Sequence, residues 1–245
     1  MSKDDHLSVL KRYSHARIGL GRAGDGLPNR HILDFSLAYA KARDAIHGQV
    51  DFQKLADELS PRRIIRVQSA AHDRAIYLRR PDLGRRLDRE SASILPSGPF
   101  DLVVVIADGL SSSAVDHHAA KLVLSLEASL RELTMGPTIF AEQARVAVGD
   151  DIAERMNSAM VVVLIGERPG LSSADSLSAY VTYGASSRSR DSERNCVSNI
   201  HSRGLSVVDA SQKISWLVRE SMRLKLSGVR LKEAAPLHSN VLSSE

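Results

Sequence analysis

Two uninterrupted apolar runs, LVVVIA at 102–107 and MVVVLIG at 160–166, constrain this chain more than any other feature. A strand with one wet face alternates apolar and polar side chains, whereas an unbroken Val/Ile run suits a strand covered on both sides. Weaker strand signals follow the same style in RRIIRVQS, GPTIFA and SAYVTYG, with helical patterns between and after them at 115–133, 151–156 and 207–226. This alternation predicts an α/β protein: a doubly wound, mostly parallel sheet. Aromatic residues make up only 4% of the chain, so its core must be built from aliphatic side chains.

The first sixty residues read differently. HILDFSLAYAKARDAIHG carries helical periodicity, with Leu33 and Leu37 on one side and Gly48 as a stop, and a second short helix is expected over 51–59. The expected organisation is therefore a small helical N-terminal domain at 1–60, then a Rossmann-like α/β domain at 61–245. Ahead of the longer helix, IGLGRAGDGLPNR holds four glycines and a proline, which marks tight turns. Its spacing matches neither a dinucleotide fingerprint nor a phosphate-binding P-loop. In RRPDLGRRLDRE a helix is expected to begin at Pro81, with Asp82 near its positive end and Arg85, Arg86 and Arg89 spread over two turns. That helix is a solvated face, a partner contact or, as a lesser alternative, a contact for a phosphate-bearing ligand.

Several function classes drop out. The formal charge of +4 is spread among interleaved acids and bases, which argues against a nucleic-acid stripe. A single cysteine, Cys196, rules out an intramolecular disulfide and any cysteine-rich metal centre. No apolar signal core or membrane-length stretch is present, so the expected location is the cytoplasm, with no membrane partner. Cys196 and His201 are close in sequence but have no third group to orient them as a nucleophilic pair. His117 and His118, adjacent on a helix, face different directions, which argues against a metal site. NCVSNIHSRG reads as a polar loop.

Two segments stand where ligands collect in open α/β sheets, beyond the carboxyl ends of strands. In DGLSS, Asp108 is expected to cap the following turn or helix, with Ser111, Ser112 and Ser113 satisfying exposed amides, direct ligand binding being the alternative for each. In GERPG, Glu167 either braces the Pro169–Gly170 turn or receives hydrogen bonds from a ligand, and Arg168 suits an acidic partner.

GRAG at 21–24, RPDLGRRL at 80–87, DGLS at 108–111, IGERPGL at 165–171 and CVSNIH at 196–201 together, in this order, resemble the small subunit of ethanolamine ammonia-lyase. The resemblance runs from about Arg17 to Gly228. It implies an adenosylcobalamin-dependent lyase that converts ethanolamine to acetaldehyde and ammonia, active only with a large barrel subunit that binds ethanolamine and carries the radical chemistry. It further implies a hetero-oligomer of repeated large–small pairs and adds a bacterial microcompartment as a location. For this chain it implies cofactor contacts at Val146, Glu167 and Cys196, with no catalytic residue and no metal ligand. On that view Glu167→Ala is expected to weaken cofactor retention more than fold stability, and the GRAG turn and the arginines at 85, 86 and 89 are candidates for partner contact. The alternatives are a different cobalamin-dependent ammonia-lyase, a noncatalytic cobalamin-binding module and a nucleotide-binding regulatory module.

Overall fold

The computed structural model describes residues 10, 13 and 16–231. The remaining residues of the expected 1–60 and 61–245 units lie outside the described residues. Two helices, α1 (Asn29–His47) and α2 (Phe52–Glu58), precede a sheet of six strands: β1 (Ile64–Gln68), β2 (Phe100–Ala107), β3 (Thr138–Glu142), β4 (Ser158–Gly166), β5 (Leu177–Tyr183) and β6 (Arg194–Ile200). Between them lie α3 (Arg74–Arg79), α4 (Arg89–Ile94), α5 (Ser112–Ser129) and α6 (Val148–Met156), and α7 (Val207–Leu224) follows the last strand.

The strand order is β1-β3-β2-β4-β5-β6. The pairings β1–β3, β3–β2 and β2–β4 are parallel, while β4–β5 and β5–β6 are antiparallel, so β5 alone runs against the rest. The α/β sheet with helices ahead of it is as the sequence predicts. Alternation along the two apolar strands divides their side chains between the layers. Leu102, Val104 and Ile106 with Met160, Val162 and Leu164 join α2, α5 and α7 on one face. Val103, Val105 and Ala107 with Val161, Val163 and Ile165 join α6 on the other. Each Val, Leu, Ile or Met among them, removed from water on folding, contributes about 1.5–3 kcal/mol, which is why these covered positions are apolar.

Three expectations change. NCVSNIHSRG is not a loop: its first part is the edge strand β6, pairing Thr182 with Arg194, Tyr180 with Cys196 and Ala179 with Val197. Only Val197 and Ile200 of that segment enter the core, so its composition hides a strand held by its backbone ladder. The helix expected from Pro81 is absent. α3 ends at Arg79, a single 3-10 turn covers Leu83–Arg85, Arg86 is extended, and α4 starts only after Asp88, whose carboxylate caps Ser91 N at 2.6 Å. In place of capping a helix, Asp82 pairs with Arg80 at 2.8 Å. In α1, Leu33 and Leu37 do share a side, but it faces outward, 68% and 57% exposed, while Ala42 and Ala45 are buried. Gly48 stops that helix in an extended conformation rather than a left-handed one. No helix among the described residues is long and apolar enough to cross a membrane.

Candidate functional site

One face of the β5–β6 pair packs against α7, and on its other face a cleft of about 800 Å³ opens. Alternation along β6 turns Arg194, Cys196 and Ser198 into this cleft, and Ser178 and Tyr180 of β5 complete its floor. Its walls are the β3–α6 connection at Arg145 and Val146, the 3-10 segment at Pro81 and Arg85, and the strand end at Glu167 and Arg168. Val146, Glu167 and Cys196, remote from one another in sequence, therefore line a single cavity.

The Val146 wall is held from below. Gln143 has a left-handed backbone (φ 50°), a strained state for a residue with a side chain. Asp108 stabilises it: its carboxylate accepts from Gln143 N at 2.8 Å, Ala144 N at 3.0 Å and Gly109 N at 2.8 Å, with the Arg74 guanidinium 3.8 Å away. Burial nonetheless raises the Asp108 pKa to about 6, the backbone hydrogen bonds and Arg74 opposing it. Asp108 is thus a brace across strands; the cap expected of it is made by Ser111, whose Oγ accepts from Ala114 N at 3.2 Å. From above, Arg145 N donates to Gly84 O at 2.7 Å and the Arg145 guanidinium lies 4.2 Å from the centre of the Tyr77 ring. A Cβ on Gly84 would come within 2.9 Å of the Arg145 side chain, which explains the glycine in RPDLGRRL.

Glu167 is tied into the scaffold. Its Oε1 accepts from Ser178 Oγ at 2.5 Å and from Asn199 N at 2.9 Å, so it ties the end of β4 to both β5 and β6 rather than to the Pro169–Gly170 turn. Asn199 lies at a register shift in β6 and is itself left-handed (φ 64°). A bulge takes its N–H out of the ladder, and Glu167 receives it. Gly166, just before, packs so closely on Ser111 that a Cβ would run into that residue's backbone.

Arginines furnish the positive side of the cleft. Arg194 is buried and bonds Asp150 at 2.5 Å and Asp191 at 3.3 Å, and Asp191 also pairs with Arg85 at 3.4 Å. The Nε of Arg145 is buried with no hydrogen-bond partner. Cys196 is exposed and unpaired, yet its thiol pKa is raised, first by desolvation. Burial and then the Cys196 neighbour push Tyr180 up to about 12.

Elsewhere the fold assembles what sequence spacing hid. His117 and His118 both reach Asp175, on the β4–β5 connection, at 4.0 and 3.9 Å. His201 is drawn instead to Asn199, with Nε2 2.8 Å from Oδ1. The GRAG turn is a tight exposed reversal, with a bridge between Ala23 and Gly26 and left-handed glycines at 21 and 24.

The family model described as the ethanolamine ammonia-lyase light chain (EutC) matches residues 4–232. The ethanolamine ammonia-lyase small subunit of Rhodopseudomonas palustris (strain BisA53) is 48% identical over 246 aligned positions, covering 98% of this chain and 94% of that protein. That of Pseudomonas syringae pv. tomato is 47% identical, covering 96% and 85%, and that of Bradyrhizobium diazoefficiens is 46% identical, covering 91% and 89%.

Proposed function

The chain belongs to the ethanolamine ammonia-lyase light-chain family, and from that premise we propose that its cleft seats adenosylcobalamin against an ethanolamine ammonia-lyase large subunit. The observation that carries the proposal is the convergence of Val146, Glu167 and Cys196 on one cavity. Pockets that enclose small ligands span roughly 300–1,000 Å³, so a half-open cleft of about 800 Å³ suits part of a large cofactor, the rest being left to the partner.

The groups present fit a flat ligand rimmed by amides. Both hydrogen bonds of Glu167 fall on Oε1, which leaves Oε2 to accept an amide N–H. The unpartnered Nε of Arg145 offers a donor, Val146 and the Tyr180 ring offer apolar contact, and Cys196 adds a compact, weakly polar surface. When bound, adenosylcobalamin supplies the cobalt–carbon bond whose homolysis starts hydrogen abstraction from ethanolamine. This chain orients that group and keeps water from one side of it, and no proton transfer falls to its residues. Substrate binding and radical chemistry belong to the large subunit, so the chain is inactive alone.

Anaerobic ethanolamine turnover by the chain, its large subunit and their mixture, each with and without adenosylcobalamin, tests this. Activity confined to the mixture with cofactor is the expected result. A complex that forms and stays inactive, or two chains that do not associate, overturns the reading.

A further inference from the structure

A second cleft, of about 790 Å³, lies between α1, the first turns of α5 and residues 170–175 of the β4–β5 connection. His117 lies on its wall and His118 just behind it, both in the second turn of α5, and their rings meet edge to face with centroids 5.9 Å apart. Adjacent helical side chains diverge by about a quarter turn, but the two rings differ in which nitrogen they present. His117 offers Nδ1 and His118 offers Nε2, and both atoms converge on Oδ2 of Asp175, at 4.0 and 3.9 Å. All three atoms lie within 4.8 Å of one another.

The carboxylate is held in place for this. Ser111 Oγ donates to Ala174 O at 2.6 Å, fastening the connection to the start of α5. Ser173 Oγ donates to Oδ1 of Asp175 at 3.3 Å, so Oδ2 is the oxygen turned to the rings. His118 Nε2 is buried with no hydrogen-bond partner, and its side chain is only 12% exposed. A buried imidazole nitrogen is ordinarily satisfied by a donor, an acceptor or a metal. At 3.9 Å the Asp175 oxygen is too distant for a hydrogen bond. The gap is instead close to the span of two ligands across one ion, since two bonds of about 2.0–2.1 Å reach at most about 4.2 Å.

We propose that His117, His118 and Asp175 form a site for a divalent transition-metal ion, Zn²⁺ or one of similar chemistry. Two imidazoles and one carboxylate are a donor set suited to such an ion, and the cleft leaves room for water in the fourth position. Tetrahedral spacing of the three atoms is about 3.4 Å, so side-chain rotations that close the present gaps by about 0.5–1.5 Å assemble the site. The ion would pin to α5 the connection that begins at Glu167, so it stabilises one wall of the cofactor cleft without touching the cofactor. This site stands independently of the function proposed above.

Calorimetric titration of the untagged, chelator-treated full chain with ZnCl₂ near neutral pH tests it, with CoCl₂ titration followed by visible absorption as a second readout. One saturable Zn²⁺ per chain is expected, with affinity weakened roughly ten- to a hundredfold or more in His118→Ala and Asp175→Asn and unchanged in Cys196→Ser. Should either of those two misfold by circular dichroism, His117→Gln, whose ring is 61% exposed, carries the same expectation. Absence of saturable binding overturns the site, as does affinity that survives all three ligand substitutions or is lost in Cys196→Ser.

Discussion

Glu167 Oε1 sits 2.9 Å from the backbone nitrogen of Asn199, at the point where β6 bulges out of its ladder with β5. The carboxylate assigned to the cofactor is therefore also part of the scaffold. Glu167→Ala leaves the buried Ser178 hydroxyl without its acceptor, which costs about 1–3 kcal/mol, while the exposed Asn199 N–H can turn to water. Glu167→Gln keeps an acceptor oxygen and is expected to unfold near the parent's urea midpoint. Cofactor retention in the assembled complex should fall in Glu167→Ala beyond what lost stability explains. Equal retention by parent and Ala variant in a fully assembled complex would remove Glu167 from the seat.

Asp150 and Arg194 form an ion pair with side chains only 4% and 3% exposed. Removing Asp150 leaves the buried Arg194 charge with only the exposed Asp191 as partner, so Asp150→Ala is expected to cost about 3 kcal/mol in urea unfolding, the lower end of the range for a broken buried pair. Replacing the pair together, Asp150→Leu with Arg194→Met, should recover most of that loss. A double variant no more stable than Asp150→Ala would show that the loss has another origin.

Burial raises the Asp108 pKa from 3.8 to about 6. Between these values the folded chain holds a proton that the unfolded chain has released, so this carboxyl's contribution to stability is complete below about pH 4 and declines as pH rises to about 6. Asp108→Asn lacks that decline. Its stability relative to the parent is expected to rise across the window, measured as the difference in urea midpoints. A difference that stays level from pH 4 to pH 6 contradicts the assignment.

Cys196 is the single cysteine of the chain and lies in the cleft, so a thiol reagent reports on that cleft alone. Desolvation raises its pKa and lowers the thiolate fraction. Alkylation is expected to run more slowly than that of a small free thiol at the same pH, despite the exposure of the residue. Adenosylcobalamin bound in the complex should slow it further. Labelling unaffected by saturating cofactor would place the cofactor elsewhere.

The parts of this fold that were legible in sequence are those where one residue type answers one demand. Val103–Val105 and Val161–Val163 are apolar because both faces of their strands are covered. Strand β6 was hidden because only Val197 and Ile200 of it meet the core, while Cys196 and Ser198 face a cleft that suits polar groups. Resemblance to a family pointed to Val146, Glu167 and Cys196, but their convergence depends on that unseen strand. The nearness of Asp175 to two histidines on α5 depends on where a loop returns, which no local pattern encodes.

The two faces of β6 also separate two kinds of selection. Along β6, Val197 and Ile200 answer to the core, whereas Cys196 and Ser198 answer to whatever fills the cleft. Mutation at the second set can drift with the ligand and the partner surface while the first set preserves the fold, so this edge is where divergence among relatives can accumulate without loss of folding.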